Sequence, residues 1–138
     1  MISEDSVQSY AECLLAAGFH LAEERVGLPM GSALWRFSSR SMELEMGVDR
    51  GEEYVTIGPN GVKARFGVLT WARLLGVELP GIPGFDGQFD FFLAHLEQIQ
   101  QLIDDHENIV EALREQNWSI TKQRLGIDPD KPRPGRSQ

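Results

Sequence analysis

Cysteine is nearly absent from this chain of 138 residues, in which Cys13 is the single one. A lone cysteine cannot form an internal disulfide, and the acidic start, residues 1–5, lacks the basic and apolar regions of a signal peptide. No apolar run approaches the roughly 20 residues that cross a bilayer. These absences predict a cytoplasmic protein without a membrane-spanning segment.

Positive charge is scarce in most of the chain. Residues 1–118 hold 8 Lys/Arg against 19 Asp/Glu, whereas residues 119–138 hold 5 against 2. An acidic body repels phosphate backbones and anionic lipids, so neither nucleic acid nor a membrane is an expected partner. The charge favours a basic protein partner, although a net charge of −8 also keeps an ordinary protein in solution.

Catalytic and metal-binding motifs are missing as well. The three histidines are far apart in the sequence, and the consecutive residues 104–107 (Asp-Asp-His-Glu) would point around a helix axis instead of converging on one ion. The patterns Gly-x-Ser-x-Gly and Gly-x-x-x-x-Gly-Lys do not occur. Glu43 and Glu45 share a predicted sheet face, but pairing with Arg36 and Lys63 would keep both ionised. The sequence therefore predicts no catalytic site, no metal and no cofactor.

The first 127 residues have the composition of one domain, and the region before residue 33 shows one helix and one strand. Helical spacing places Val7, Tyr10, Ala11, Leu14 and Leu15 on a common face of a first helix that Gly18 can end. Short alternation from Phe19 to Arg25 predicts a possible edge strand before the glycine-rich break at residues 27–31.

Alternating apolar residues from Ala33 to Phe66 predict an antiparallel meander. Turn-forming residues occur at 38–41, 49–52 and 58–61. The corresponding pairs are Phe37 with Met42, Val48 with Glu53, and Ile57 with Val62. This register makes one sheet face apolar and brings opposite charges together on the other, including Arg36 opposite Glu43.

Helices are predicted after the meander. A short helix over 68–75 precedes a loop over 79–85, which two prolines and two glycines interrupt. A helical seam then consists of Phe89, Phe92, Leu96, Ile99, Ile103, His106, Val110 and Leu113, with a break near Asp104–Asn108 and a last helix over 118–125. Residues 128–138, basic and rich in proline, are predicted to be a disordered tail. The predicted fold is α+β: an N-terminal helix, a four- to five-stranded antiparallel meander, and C-terminal helices packed on one sheet face.

Two surfaces are candidates for partner binding. The first is the turn Asp49, Arg50, Glu52 and Glu53, with Glu45 nearby on the same strand pair; its composition is also explained by the conformation of a turn. The second is the 79–85 loop, which can expose Ile82 or Phe85. The alternative for Phe85 is packing beneath the third predicted helix.

The order of these elements, with the string GSALWRFSSRSMELEMGVDRGEEYVTIGP, resembles the small cytoplasmic immunity proteins of bacterial polymorphic-toxin systems. The resemblance covers most of residues 5–115 and is architectural. It implies a non-enzymatic inhibitor that occludes a cognate toxin, and an acidic surface suited to a basic toxin.

Two other functions remain open at this point. One is a small enzyme with a composite site between the sheet and the 79–88 loop, using dispersed residues such as Asp86 and His95. The other is a homo-oligomeric adaptor in which the helical seam pairs with a second copy.

Overall fold

The computed structural model describes residues 4–79, 81 and 83–134. The elements along the chain are α1 (Glu4–Ala16), β1 (His20–Arg25), a 3-10 turn (Pro29–Gly31), β2 (Ala33–Ser38), β3 (Met42–Asp49), β4 (Glu52–Pro59), β5 (Phe66–Gly67), α2 (Val68–Leu75), α3 (Phe85–Asp105) and α4 (Ile109–Leu125).

The strands form one antiparallel sheet in the order β1-β2-β3-β4-β5, so that each strand pairs with its neighbours in the sequence. Helices cover one face of the sheet, and the core between the two layers contains Leu14, Phe37, Leu44, Met46, Val55, Ile57, Trp71, Phe89, Phe92, Ile99 and Leu113. The predicted α+β class, the five-stranded meander and the C-terminal helices are confirmed.

The register of the meander is only partly as predicted. Val48 lies opposite Glu53, as expected. Phe37, however, lies opposite Leu44 instead of Met42, and Ile57 opposite Phe66 instead of Val62. These shifts of two and four residues leave the inner and outer faces unchanged, because side chains alternate with a period of two.

Glycine at position 58 explains the longer return to β5. A Cβ built on Gly58 would meet the main-chain oxygen of Ala64 at 2.1 Å, so the backbone of residues 64–65 passes directly over this glycine. Such a close approach needs a residue without a side chain. The predicted turn at 58–61 lies one residue later, at 59–62, where the Val62 N–H donates to the main-chain oxygen of Pro59 at 3.4 Å, and strand pairing resumes only at Phe66.

Helices α3 and α4 are separate, as the sequence suggested. Helix α3 ends at Asp105 and α4 begins at Ile109, then continues to Leu125, so the predicted last helix over 118–125 is only the end of α4. His106 follows α3 and is exposed, and the prediction that it belongs to the apolar seam is wrong. A residue in the link between two helices no longer follows the helical periodicity on which that prediction depended.

Candidate functional site

The tip of the β3–β4 hairpin has a two-residue loop. Asp49 pairs with Glu52, and the residues between them, Arg50 and Gly51, have φ angles of 51° and 85°. Positive φ at both central positions is the pattern of a type I′ turn, whose twist matches that of the two strands. The turn comprises residues 49–52, as predicted from the sequence, and it projects the side chains of Asp49 and Glu52 from the same sheet face.

Ser32, just before β2, braces this tip. Its Oγ donates to Asp49 Oδ1 at 3.5 Å and accepts a hydrogen bond from the Arg50 N–H at 3.3 Å. A hydroxyl can serve as donor and acceptor at once. The hairpin tip is therefore held to the loop that precedes β2.

A depression of about 460 Å³ lies beside the hairpin tip. Its lining is Leu28, Ser32, Ala33, Leu34, Val48, Asp49, Glu52, Glu53 and Tyr54. Residues with apolar and aromatic side chains thus line the depression together with three acidic residues, and we call this surface the acidic end. Asp49, Glu52 and Glu53 all line it, with Asp49 and Glu52 on the outer sheet face and Glu53, the next residue of β4, on the inner face. Their role as partner contacts stays a prediction.

Glu45, the fourth acidic residue predicted to contact a partner, is hydrogen-bonded to other side chains of the protein. Its side chain is 16% exposed and accepts hydrogen bonds from Tyr54 Oη at 2.8 Å and Arg65 Nη2 at 3.0 Å. Burial and the hydrogen bond to Glu45 raise the pKa of Tyr54 above its ordinary value. Glu45 therefore supports the outer face of the sheet and is removed from the set of candidate contacts.

The outer face of the sheet carries a chain of ion pairs. Glu43, whose side chain is 11% exposed, lies between Arg36 Nη1 at 3.3 Å and Arg65 Nη1 at 2.9 Å. Arg36 continues to Glu23 at 3.4 Å, and Glu23 to Arg25 at 2.7 Å. The hydrogen bond from Arg25, with a further one from Arg36, lowers the pKa of Glu23. Opposite charges do meet on this face, although Arg65 takes the place expected for Lys63.

The second candidate surface, the 79–85 loop, does not expose Phe85. Phe85 is 6% exposed, and its ring lies edge-on to Tyr10 with centroids 5.5 Å apart. Phe85 opens α3 and points into the core, so it cannot serve as an exposed contact. Ile82 lies outside the described residues.

The residues suggested for a composite enzyme site are separated. Asp86 accepts a hydrogen bond from Tyr10 Oη, whereas His95 Nδ1 lies 3.0 Å from the main-chain oxygen of Phe91. Both residues are on α3, and nine helical steps place their backbones about 14 Å apart. Within the part of the chain that the structure describes, no three His, Cys, Asp or Glu side chains are grouped as metal ligands would be.

The seam proposed for pairing between copies is partly internal. Phe89, Phe92 and Ile99 have no exposed area, because α3 packs this stripe against the sheet and α1. These three residues cannot contact a second copy while the chain is folded, whereas Leu96, Ile103 and Val110 are partly buried. The adaptor function stays a prediction.

Comparison of the chain with protein-family models, with curated proteins and with solved structures found no match. Among the described helices, none combines the length and the apolar character that crossing a membrane requires.

One surface was missed by the sequence interpretation. Residues 128–134, the described part of the tail, lie along α4, where Arg133 contacts Glu111 and Glu115. Disorder of the 128–138 tail stays a prediction. The signal for this contact was present in α4, where Glu111, Glu115, Trp118 and Lys122 recur at intervals of 4, 3 and 4 residues.

Proposed function

We propose that this protein is a non-enzymatic, cytoplasmic binding module, an immunity-type inhibitor that neutralises a basic toxin by occluding it. The acidic end is the observation that carries the proposal, since it combines Asp49, Glu52 and Glu53 with an apolar wall in one depression. The resemblance in element order to immunity proteins agrees with this role.

The chemistry of the acidic end suits a lysine or arginine side chain. Such side chains lay their methylene stems along apolar surface and keep the charged group at the end. Here Leu28 and Leu34 offer the apolar surface, while the exposed carboxyl groups of Asp49 and Glu52 stand at the rim. A basic side chain entering the depression would therefore meet both kinds of contact.

The body charge supports rapid association with a basic partner. Residues 1–118 carry an excess of 11 negative charges, which attracts a cationic protein over a distance set by the ionic strength. The association rate should accordingly fall as salt is added.

The acidic end is also held in place before any partner arrives. Ser32 braces the turn, and Gln88 Nε2 donates to the main-chain oxygen of Glu53 at 3.3 Å. Ordering a flexible segment costs binding free energy, so a fixed hairpin favours an inhibitor that must bind tightly.

The test compares the wild-type chain with a triple charge-reversal variant, Asp49→Lys, Glu52→Lys and Glu53→Lys. A matched control reverses three exposed charges elsewhere, Glu12→Lys, Glu97→Lys and Asp105→Lys. Each protein is used to capture proteins from its source cells at low and high salt. We expect the wild type and the control to retain a basic protein that elutes with salt, and the hairpin variant to lose it.

Growth provides the functional half of the experiment. The captured protein is expressed alone and together with each variant, and the proposal requires that it arrest growth alone and that the wild type and the control restore growth. A captured protein without toxicity, or the retention of no basic protein, would overturn the immunity function. Rescue by the hairpin variant as strong as rescue by the wild type would instead show that the acidic end is not the contact surface.

A further inference from the structure

A polar stripe on α4 carries a segment of the chain that has no apolar anchor. Residues Glu111, Glu115, Trp118 and Lys122 share one helix face, and we call them the α4 stripe. The segment over it, residues 128–134, reads Asp-Pro-Asp-Lys-Pro-Arg-Pro. Its position must therefore depend on polar and ionic contacts with the helix.

The contacts follow one another in a regular order. Lys122 Nζ donates to the main-chain oxygen of Pro129, and Trp118 Nε1 donates to that of Lys131 at 2.9 Å. Arg133 then pairs through Nη2 with Glu111 and through Nε with Glu115 Oε1 at 3.3 Å. Lys122 Nζ also donates to the main-chain oxygen of Lys131 at 3.3 Å, so Lys122 contacts two residues of the segment. The segment runs antiparallel to the helix.

A turn begins the segment. The Lys131 N–H donates to the main-chain oxygen of Asp128 at 3.0 Å, and the Asp130 N–H donates to Asp128 Oδ1 at 3.0 Å. The main-chain oxygens of Pro129 and Lys131 that meet α4 therefore belong to this turn, and Arg133 follows it.

Arg133 is the best-anchored side chain of the segment. Its side chain is 21% exposed, which is low for a residue flanked on both sides by proline. Glu111 and Glu115 lie one turn apart, so together they accept from two different nitrogens of the guanidinium group. Proline on each side restricts the backbone and lowers the entropy lost when the segment is ordered.

None of these contacts requires the segment to belong to the same chain. The helix recognises two main-chain oxygens and one guanidinium group, and a segment of another protein with a similar turn followed by an arginine can present all three. The two glutamates supply the complementary charge, and Trp118 supplies a donor beside a flat aromatic surface.

We propose that the α4 stripe is a recognition site for an arginine- and proline-containing segment of a partner protein, and that residues 128–134 are its built-in competitor. A partner segment must displace the tail before it binds. The site stands apart from the acidic end and does not depend on the function proposed above.

The probe for the test is a synthetic peptide with the sequence of residues 127–138, and the protein is always the full chain. In the Arg133→Ala chain the tethered competitor loses its anchor, which should shift the indole N–H resonance of Trp118 and leave those of Trp35 and Trp71 in place. We expect the peptide to bind this variant, to return the Trp118 resonance toward its wild-type position, and to bind the wild-type chain about tenfold more weakly or worse, because the tethered tail competes at high effective concentration.

Three controls, two in the chain and one in the peptide, make the result specific. Adding Glu111→Gln and Glu115→Gln to the Arg133→Ala chain should abolish peptide binding, whereas adding Glu97→Gln and Glu107→Gln at exposed positions outside the stripe should preserve it. A peptide with alanine in place of its Arg133 should fail to bind. The proposal is overturned if the Trp118 resonance is unchanged in the Arg133→Ala chain, if the peptide does not bind that chain, or if both peptides bind it equally.

Discussion

The side-chain oxygen of Gln88 accepts a hydrogen bond from the Val55 N–H at 2.8 Å, which joins α3 to the edge of β4. The amide nitrogen of Gln88 donates to the main-chain oxygens of Glu53 and Pro83, at 3.3 and 3.1 Å. Strand β5 pairs with β4 only at Thr56 and Ile57, so the first half of this edge has no strand partner. Gln88 takes the place of that partner.

Replacing Gln88 should therefore destabilise the hairpin that carries the acidic end. The Gln88→Ala change leaves the buried N–H of Val55 without its partner, and we expect a loss of about 1–3 kcal/mol in the free energy of unfolding. Urea denaturation measures this loss. The exposed Gln98 on the same helix is the matched control, since Gln98→Ala should change stability by less than about 0.5 kcal/mol. Equal effects at both positions would contradict the role assigned to Gln88.

The ion pairs on the outer sheet face should differ in their contributions. Glu43 is nearly buried between two guanidinium groups, so Glu43→Gln leaves Arg36 and Arg65 without their shared countercharge. We expect a loss of about 1–3 kcal/mol. Arg25 is 61% exposed, and Arg25→Ala should cost about 0–1 kcal/mol. Denaturation of the two variants in parallel tests this ranking, which a larger loss at Arg25 would refute.

Tyr10 and Tyr54 should keep their phenolic protons at pH values above the one at which tyrosine ordinarily ionises. Burial raises the pKa of Tyr10 and of Tyr54, and hydrogen bonds to Asp86 and Glu45 respectively raise it further. An unfolded tyrosine titrates near pH 10, so above that pH unfolding releases protons that the folded state retains. Stability should be intact below about pH 10 and should fall as the pH rises above it.

Ultraviolet absorbance of the phenolate checks this directly. The folded chain should show little phenolate at pH 10, whereas the chain unfolded in urea should be about half titrated there. Tyr54→Phe should reduce the decline in stability, because one of the two retained protons is removed. Normal titration of both tyrosines in the folded chain would show that these hydrogen bonds do not persist in solution.

The hairpin turn should accept asparagine better than arginine at position 50. Arg50 has a φ of 51°, a conformation that is unfavourable for most residues and that asparagine adopts more readily. Arg50→Asn should raise the free energy of unfolding by about 0.5–1 kcal/mol. Arg40→Asn, in an exposed loop position without positive φ, should not produce this gain. If the Arg50→Asn chain still captures a basic protein, the stability of the turn can be changed without loss of the contacts made by Asp49 and Glu52.

The sequence predicted sheet faces better than it predicted strand pairing. The Arg50–Gly51 turn has a strong local signal, and the pairing beside it was correct. Composition alone places the other two turns, and the pairing of Ile57 depends on a tertiary contact, the passage of residues 64–65 over Gly58. When the pairing of two strands shifts by an even number of residues, every side chain stays on the same sheet face. The alternating pattern therefore does not distinguish the shifted pairing from the predicted one.

The candidate site was predicted in part for similar reasons. Asp49 and Glu52 lie where a hairpin tip must place them, so local sequence was sufficient. The burial of Phe85 depends on how α1 meets α3, and the pairing of Glu45 with Arg65 depends on the return of the chain after β4. Both relationships join residues that are distant in sequence, and no periodic pattern encodes them.

The order of the strands in the sheet is also the order in which a ribosome releases them. Strands β1 to β4 can pair as they emerge, without waiting for a distant segment, which favours rapid assembly of the sheet. Helices α1 and α2 are also made before α3 and supply Leu14 and Trp71 to the core, but Phe89, Phe92 and Ile99 reach the inner face only when α3 has been synthesised. Until residues 85–105 have emerged, part of this apolar face stays exposed, and exposed apolar sheet surface is prone to aggregation.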